Sequence, residues 1–452
     1  MSSKIDLTKG PIFKKLITLA LPIIGTSFFQ MAYNLTDMYW IGRVGSDAVA
    51  AVGTAGFYTW FAMAFIMLTK IGAEVGVAQS VGKENFELMR DYIRHTIKLN
   101  LIMAVVYAII VGILTKPLIS FFNLKNLEVV SMAESYLRIL LIGLPFYFVN
   151  PVLTSIFNGY GDSTTPFRIN IVGLIANIVL DPLFIFVFKM GVAGAAIATI
   201  LAQISVSMLF VYYSKEHPHL FENFSLKFKM KIDIVRHLLK LGMPVCIQSG
   251  SFTIIAMILA RIITQWGAVP IAVQKVGSQI EALSWMTASG FATALGTFVG
   301  QNYGAQKPDR IKKAYKISIS LMGGLGIIVT TLFVFWGGEI FQIFIPEKEA
   351  IIEGAIYMKI LGYSQLFMCI EIATSGFFNG LGKTHIPSIN SIVFTAMRIP
   401  MALMLSSTAL ELSGVWWSIS ITSVAKGIVM ISLAGMLFYK ARTNEEILKA
   451  VV

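Results

Sequence analysis

Charge is what this sequence has least of. Of its 452 residues only 13% are Asp, Glu, Lys or Arg, against 56% hydrophobic, and the mean hydropathy is +0.75. A water-soluble chain carries about 25% charge, so the composition excludes an ordinary soluble protein. Cysteine is almost missing: Cys246 and Cys369 both lie in apolar runs, where a thiol behaves as a small hydrophobe and builds neither a disulfide framework nor a zinc site. No phosphate-binding loop, nucleophile constellation or metal cluster stands out, so neither an enzyme nor a cofactor is expected. The glycine-rich Gly323-Gly324-Leu325-Gly326 sits inside an apolar run, where close helix packing accounts for it. A net charge of +12 would suit a nucleic-acid binder, but the basic residues are scattered over short loops, which speaks for membrane topology instead. The opening MSSKIDLTKGPIFKKL shows no small-residue cleavage site before a full-length apolar run, so no removable signal peptide is read.

What is present is long apolar runs. They fall at about 16–42, 48–80, 96–115, 133–158, 169–188, 192–213, 238–264, 269–300, 317–337, 356–380, 386–408 and 413–439. About 20 helical residues cross the roughly 30 Å bilayer core, so twelve transmembrane helices are expected, the second and eighth long enough to tilt or project. The loops alternate in charge. Those carrying Lys83 to Lys98, Lys215 to Lys240 and Lys307 to Lys316 are rich in Lys and Arg, while those near Arg43, Lys116, Lys189 and Lys348 are not. By the positive-inside rule the rich set is cytoplasmic, which puts both termini inside, in the plasma (inner) membrane.

The chain also repeats. Phe157-Asn158-Gly159-Tyr160-Gly161 recurs as Phe378-Asn379-Gly380-Leu381-Gly382, and Leu21-Pro22 as Met243-Pro244. The expected architecture is an all-α polytopic membrane protein. Its six-helix lobes, 1–213 and 236–452, are joined by a cytoplasmic linker at 214–235. Because six is even, the lobes are parallel repeats related by a pseudo-twofold axis along the membrane normal. Both FNGxG segments read as helix ends, with Gly terminating the helix and Asn bonding freed backbone groups.

The run 169–188 carries Asn170, Asn177, Asp181 and Pro182. The spacings of seven and four place the three polar residues on one face, and a carboxylate inside a span costs at least about 2.5 kcal/mol, so it faces protein or water and works there. Pro182 cannot donate to the carbonyl of Ile178, which predicts a kink one turn before the acid. Asp181 lies eight residues from Lys189 and Asp37 six from Arg43, about 12 Å and 9 Å from the same side. Thr199 reaches a similar depth. Two carboxylates close together in low dielectric do not both stay ionised, so such a group suits a proton, or a Na⁺ completed by amide and hydroxyl oxygens.

Asn34-Leu35-Thr36-Asp37-Met38-Tyr39-Trp40-Ile41-Gly42, Ala48-Val49-Ala50-Ala51-Val52-Gly53, Asp181-Pro182, and the run from Gln279-Ile280-Glu281-Ala282 to Gly300-Gln301-Asn302-Tyr303-Gly304 together resemble the MATE (multidrug and toxic compound extrusion) family. The likeness spans essentially the whole chain and is nearest the prokaryotic DinF-like type, with acids in spans one and five. It implies a secondary active antiporter, acting as a monomer, that exports organic cations or drugs against H⁺ or Na⁺ by alternating access. It also implies that Asp37, Asn177, Asp181 and Thr199 form the coupling-cation site. Tyr33, one turn from Asp37, is the aromatic singled out for the substrate cavity. In the C-terminal lobe, Lys275, Glu281, Glu371, Arg398 and Lys426 read as an internal neutralising network. Glu281 and Glu371 are substrate candidates, and Glu371 resembles a span-ten carboxylate of some relatives whose partner acid in span seven is absent here. Lys70 and Glu74, four apart, read as a self-neutralised pair. The rival readings are a lipid-linked oligosaccharide flippase, a class that usually has fourteen spans, and a specific metabolite exporter.

Overall fold

The computed structural model describes residues 5–122, 124, 126–222, 224–345 and 347–443. Among these residues there is no strand, and twelve long helices carry the chain. They are α1 (Ile12–Val44), α2 (Ser46–Gly82), α3 (Phe86–Ile113), α4 (Leu127–Tyr160), α5 (Thr164–Val187), α6 (Gly191–Ser214), α7 (Ile232–Ile263), α8 (Ala268–Gly304), α9 (Pro308–Gln342), α10 (Lys348–Gly380), α11 (His385–Ser406) and α12 (Glu411–Thr443). Eleven of them are long and apolar enough to cross a bilayer by composition alone. The other, α8, is interrupted by Gln274, Lys275, Ser278, Gln279 and Glu281. α2 and α8 each have 37 residues, about 55 Å at 1.5 Å per residue, well beyond the bilayer core.

The outward faces show what solvent these helices are built for. On α3, Ile102, Val105, Val106, Ile109, Ile110 and Ile113 are all exposed. A continuous aliphatic stripe on a single helix costs heavily in water and nothing in lipid. The protein is a multi-pass membrane protein.

The helices form two compact units. One holds Ile5, Asp6 and Leu21–Cys246; the other holds Leu7–Ala20 and the described residues from Ile247 onward. Thus α1 begins in one unit and ends in the other, and α7 does the reverse, each crossing near its internal proline, Pro22 and Pro244. Each unit also grips a strap of chain ahead of its borrowed helix start. In the second unit, Arg310 of α9 donates to the carbonyls of Leu7 (2.9 Å) and Gly10 (2.9 Å), and Lys307 to that of Thr8 (2.9 Å). In the first unit, Lys98 of α3 donates to the carbonyl of Phe228 (2.7 Å), while the Lys231 amide donates to Nε2 of His95 (2.8 Å) and its ammonium pairs with Asp91.

The internal repeat is written into the backbone. Glu84 and Gln306, 222 apart, both adopt φ +55°, and Lys189 and Glu411, also 222 apart, adopt +55° and +44°. The two FNGxG segments close in the same way: Asp162 N donates to Phe157 O (2.9 Å) and Lys383 N to Phe378 O (2.9 Å), with Gly161 and Gly382 left-handed at +98° and +74°. The glycines end their helices as expected. The side-chain oxygens of both Asn158 and Asn379 are buried without a hydrogen-bond partner among the described residues.

Candidate functional site

α1, α5 and α6 bring four of the residues singled out in the sequence to one place. Asn177 and Asp181 are fully buried one turn apart on α5, and the Asn177 amide donates to Oδ1 of Asp181 (3.0 Å). Asp37 of α1 faces both of them. The hydroxyl of Tyr33, one turn earlier, faces Thr199 of α6 and feels the charges of Asp37 and Asp181. The helix assignment is unbroken up to Pro182, and the irregularity in the backbone hydrogen bonds falls after the ring. The α-helix runs regularly through Pro182 and then widens into a π-helical turn over Leu183–Val187, with Phe188 N bonding Leu183 O (2.9 Å). A proline lacks only its own donor, and here the loosened register is taken up after the ring. The π turn leaves Asp181 at the last regular turn, where a π-bulge often marks function.

One feature distinguishes this cluster from packing hydrogen bonds. Tyr33 OH, Asp37 Oδ1, Asn177 Oδ1, Asp181 Oδ2 and Thr199 Oγ1 are all buried without a hydrogen-bond partner among the described residues. Five unpaired oxygens from three helices, two of them from carboxylates, form a donor set for a hard cation such as Na⁺ or for a proton. An unpaired buried polar atom costs about 1–3 kcal/mol, and native interiors hold few of them. Tyr136 is also buried within range of Asp37, Tyr33 and Asp181. It escapes notice in the sequence because one tyrosine in an apolar span has no distinguishing neighbour.

In the second unit the charges form a connected chain. Glu281 of α8 accepts from Gln365 Nε2 (3.1 Å) and the Tyr357 hydroxyl (3.4 Å) of α10. Glu371 pairs with Lys426 of α12 (3.7 Å) and accepts from Ser375 (3.2 Å). Arg398 of α11 donates to Thr422 (3.2 Å) and Ser423 (3.0 Å) and feels the charges of Glu281 and Glu371. Lys275 takes no part: it is exposed on α8, so the neutralising set is two acids and two bases rather than two and three. Arg398 stands 221 residues after Asn177, the offset of the FNGxG repeat. The corresponding helix of each unit therefore carries the site, with amide and acid in one and a cation in the other. Lys70 and Glu74 feel each other's charge, but neither makes an ion pair within 4.0 Å among the described residues. The expected self-neutralised pair is not closed.

The fold and these sites define a polytopic helical membrane protein with ionisable groups held inside its spans. The sequence profile of the MatE family matches residues 22–183 and 244–404, and this chain belongs to that family of transporters. It is 28% identical over 419 residues to the probable multidrug resistance protein NorM of Thermotoga maritima, covering 90% of this chain and 88% of that protein. To the probable multidrug resistance protein YoeA of Bacillus subtilis it is 26% identical, with 90% of each covered. Among solved structures, a MOP superfamily transporter from Pyrococcus furiosus, described as having a binding pocket of reverse polarity that suggests a different function, superposes with TM-score 0.89 at 26% identity over 97% of this chain and 98% of that one. An outward-facing multidrug resistance MATE family transporter superposes with TM-score 0.88 at 25% identity over 95% and 96%.

Proposed function

We propose that this chain is a secondary multidrug efflux antiporter of the cell's inner membrane. In this reading it exports organic cations or drugs in exchange for H⁺ or Na⁺ taken up at Asp37, Asn177, Asp181 and Thr199. The observation that supports the reading is the set of five unpaired buried oxygens on α1, α5 and α6. The relatives named as multidrug resistance proteins supply the substrate class. An entering cation satisfies the orphaned oxygens and stabilises one arrangement of these helices. A bound solute favours the other, and the two affinities exclude each other. Alternating access needs nothing further than this linkage. The C-terminal chain of Glu281, Glu371, Arg398 and Lys426 is read as a substrate-facing counterpart, with both termini cytoplasmic and the chain acting as a monomer.

The test is flux in sealed proteoliposomes, with an ethidium-like dye and an imposed pH gradient or, separately, a Na⁺ gradient. One gradient is expected to drive dye movement and so name the ion. Asp181→Asn should abolish gradient-driven movement while inserting normally. Full coupled flux in that variant overturns the site, and a dye that neither gradient moves overturns the cation-exporter reading in favour of a metabolite or lipid-linked substrate.

A further inference from the structure

Below Tyr33, on the side of the first unit away from Asp37, lies a cavity of about 210 Å³. Its wall includes Gln30, Tyr33, Lys70, Asn150, Asn170 and Gln203. Among the described residues that line it, Lys70 is the single charged group. Asp37 and Asp181 lie beyond Tyr33 and are not part of the wall. Lys70 comes from the interior of α2, where Ser155 of α4 bonds its carbonyl (3.2 Å) and fixes the backbone. Among the described residues its ammonium makes no ion pair within 4.0 Å, Glu74 one turn along included. A cation inside a span is rare and marks a solute path more often than packing.

The neutral neighbours are oriented to match. Ser207 donates to the side-chain oxygen of Asn150 (2.6 Å), and Asn150 donates in turn to the side-chain oxygen of Gln203 (2.7 Å) and to its carbonyl (2.9 Å). With one lone pair of its oxygen taken, Gln203 keeps its NH₂ as a donor on the cavity wall. Asn170 spends its own NH₂ on the carbonyl of Pro166 (2.7 Å) and contributes an acceptor. A lysine and an amide donor therefore share the wall of a space too small for a whole drug-sized ligand, which typically needs about 300–1,000 Å³. It has room for one charged end.

We propose that this cavity binds the carboxylate of an organic acid or zwitterion, with Lys70 as counter-ion and the Gln203 amide as second donor, so that the chain accepts anionic or zwitterionic solutes as well as cations. The proposal rests on the transport reading for its physiological meaning, but binding is measurable without transport. Full-length protein in detergent is titrated with dansylglycine and with its methyl ester, which differ in the carboxylate charge. The unmodified protein should bind the acid at least tenfold more tightly than the ester. Lys70→Gln should bring the ratio close to one, Lys70→Arg should keep most of it, and Gln203→Leu should weaken the acid several-fold with little effect on the ester. Equal affinity for acid and ester in the unmodified protein, or an unchanged ratio in well-folded Lys70→Gln, overturns the proposal. Cationic dye flux in the same preparations separates the two readings. Flux without acid preference sinks the carboxylate site alone, whereas a Lys70-dependent preference without flux sinks the exporter reading alone.

Discussion

Asp37, Asn177, Asp181 and Thr199 each bring a buried, unpartnered oxygen to one cluster, and the residue scale is where the sequence speaks most directly. A carboxylate in an apolar span is visible as chemistry, and the i, i+4 step from Asn177 to Asp181 fixes a shared helix face before any tertiary contact is known. Partners far along the chain have no such signature. His217 and Asp162, 55 residues apart, meet just outside the spans at 3.0 Å, with Thr165 also bonded to Asp162 (2.6 Å). The Asp162 carboxylate holds the imidazolium and raises His217 above its ordinary 6.5. A group raised in the folded state stabilises fully below its unfolded value and loses that contribution as pH climbs through the folded value. The melting-temperature gap between the unmodified protein and His217→Gln should therefore be widest near pH 5.5 and shrink toward pH 8.5. A gap that widens with pH would reverse the assignment.

At the scale of the element, helix lengths and ends follow from composition, while close approaches do not. Gly159 of α4 and Gly380 of α10 occupy equivalent places. A Cβ on the first would stand 2.7 Å from the carbonyl of Glu74, and on the second 2.4 Å from that of Gly296. The neighbouring Gly376 would place its Cβ 2.2 Å from the carbonyl of Ala292. Backbone cannot yield as a side-chain tip can, so Gly376→Ala should cost about 1–3 kcal/mol through overpacking. Thermal unfolding in detergent would show it, and an unchanged melting point would mean that α8 and α10 slide freely. The π turn after Pro182 belongs to the same class of facts. Proline announces a disturbed helix, but whether the register loosens before or after the ring is decided by what packs there.

On the scale of the whole molecule, the strap contacts explain why the basic loops are more than topology signals. Lys98 and Lys231 hold 226–231 in one unit, while Lys307 and Arg310 hold 7–10 in the other. The orientation itself can be checked with single cysteines in a background lacking Cys246 and Cys369. A membrane-impermeant maleimide should label Glu347→Cys in intact cells and Ser225→Cys only after permeabilisation. The opposite pattern would invert the topology.

Composition and periodicity alone determined an all-helical membrane protein built twice over, with acids in α1 and α5, because hydrophobic length and helical register are local properties. Twelve helices were legible as apolar runs, although α8 is polar enough to fail a purely compositional test. Tertiary structure alone decided that four C-terminal charges join while Lys275 stays outside. It likewise left Lys70 on a cavity wall instead of closing on Glu74, and let α1 and α7 each begin in the unit where they do not end. The physical reason is common to all three. A side chain's partner is set by which distant helix packs against it, and no residue carries that information in its own neighbourhood.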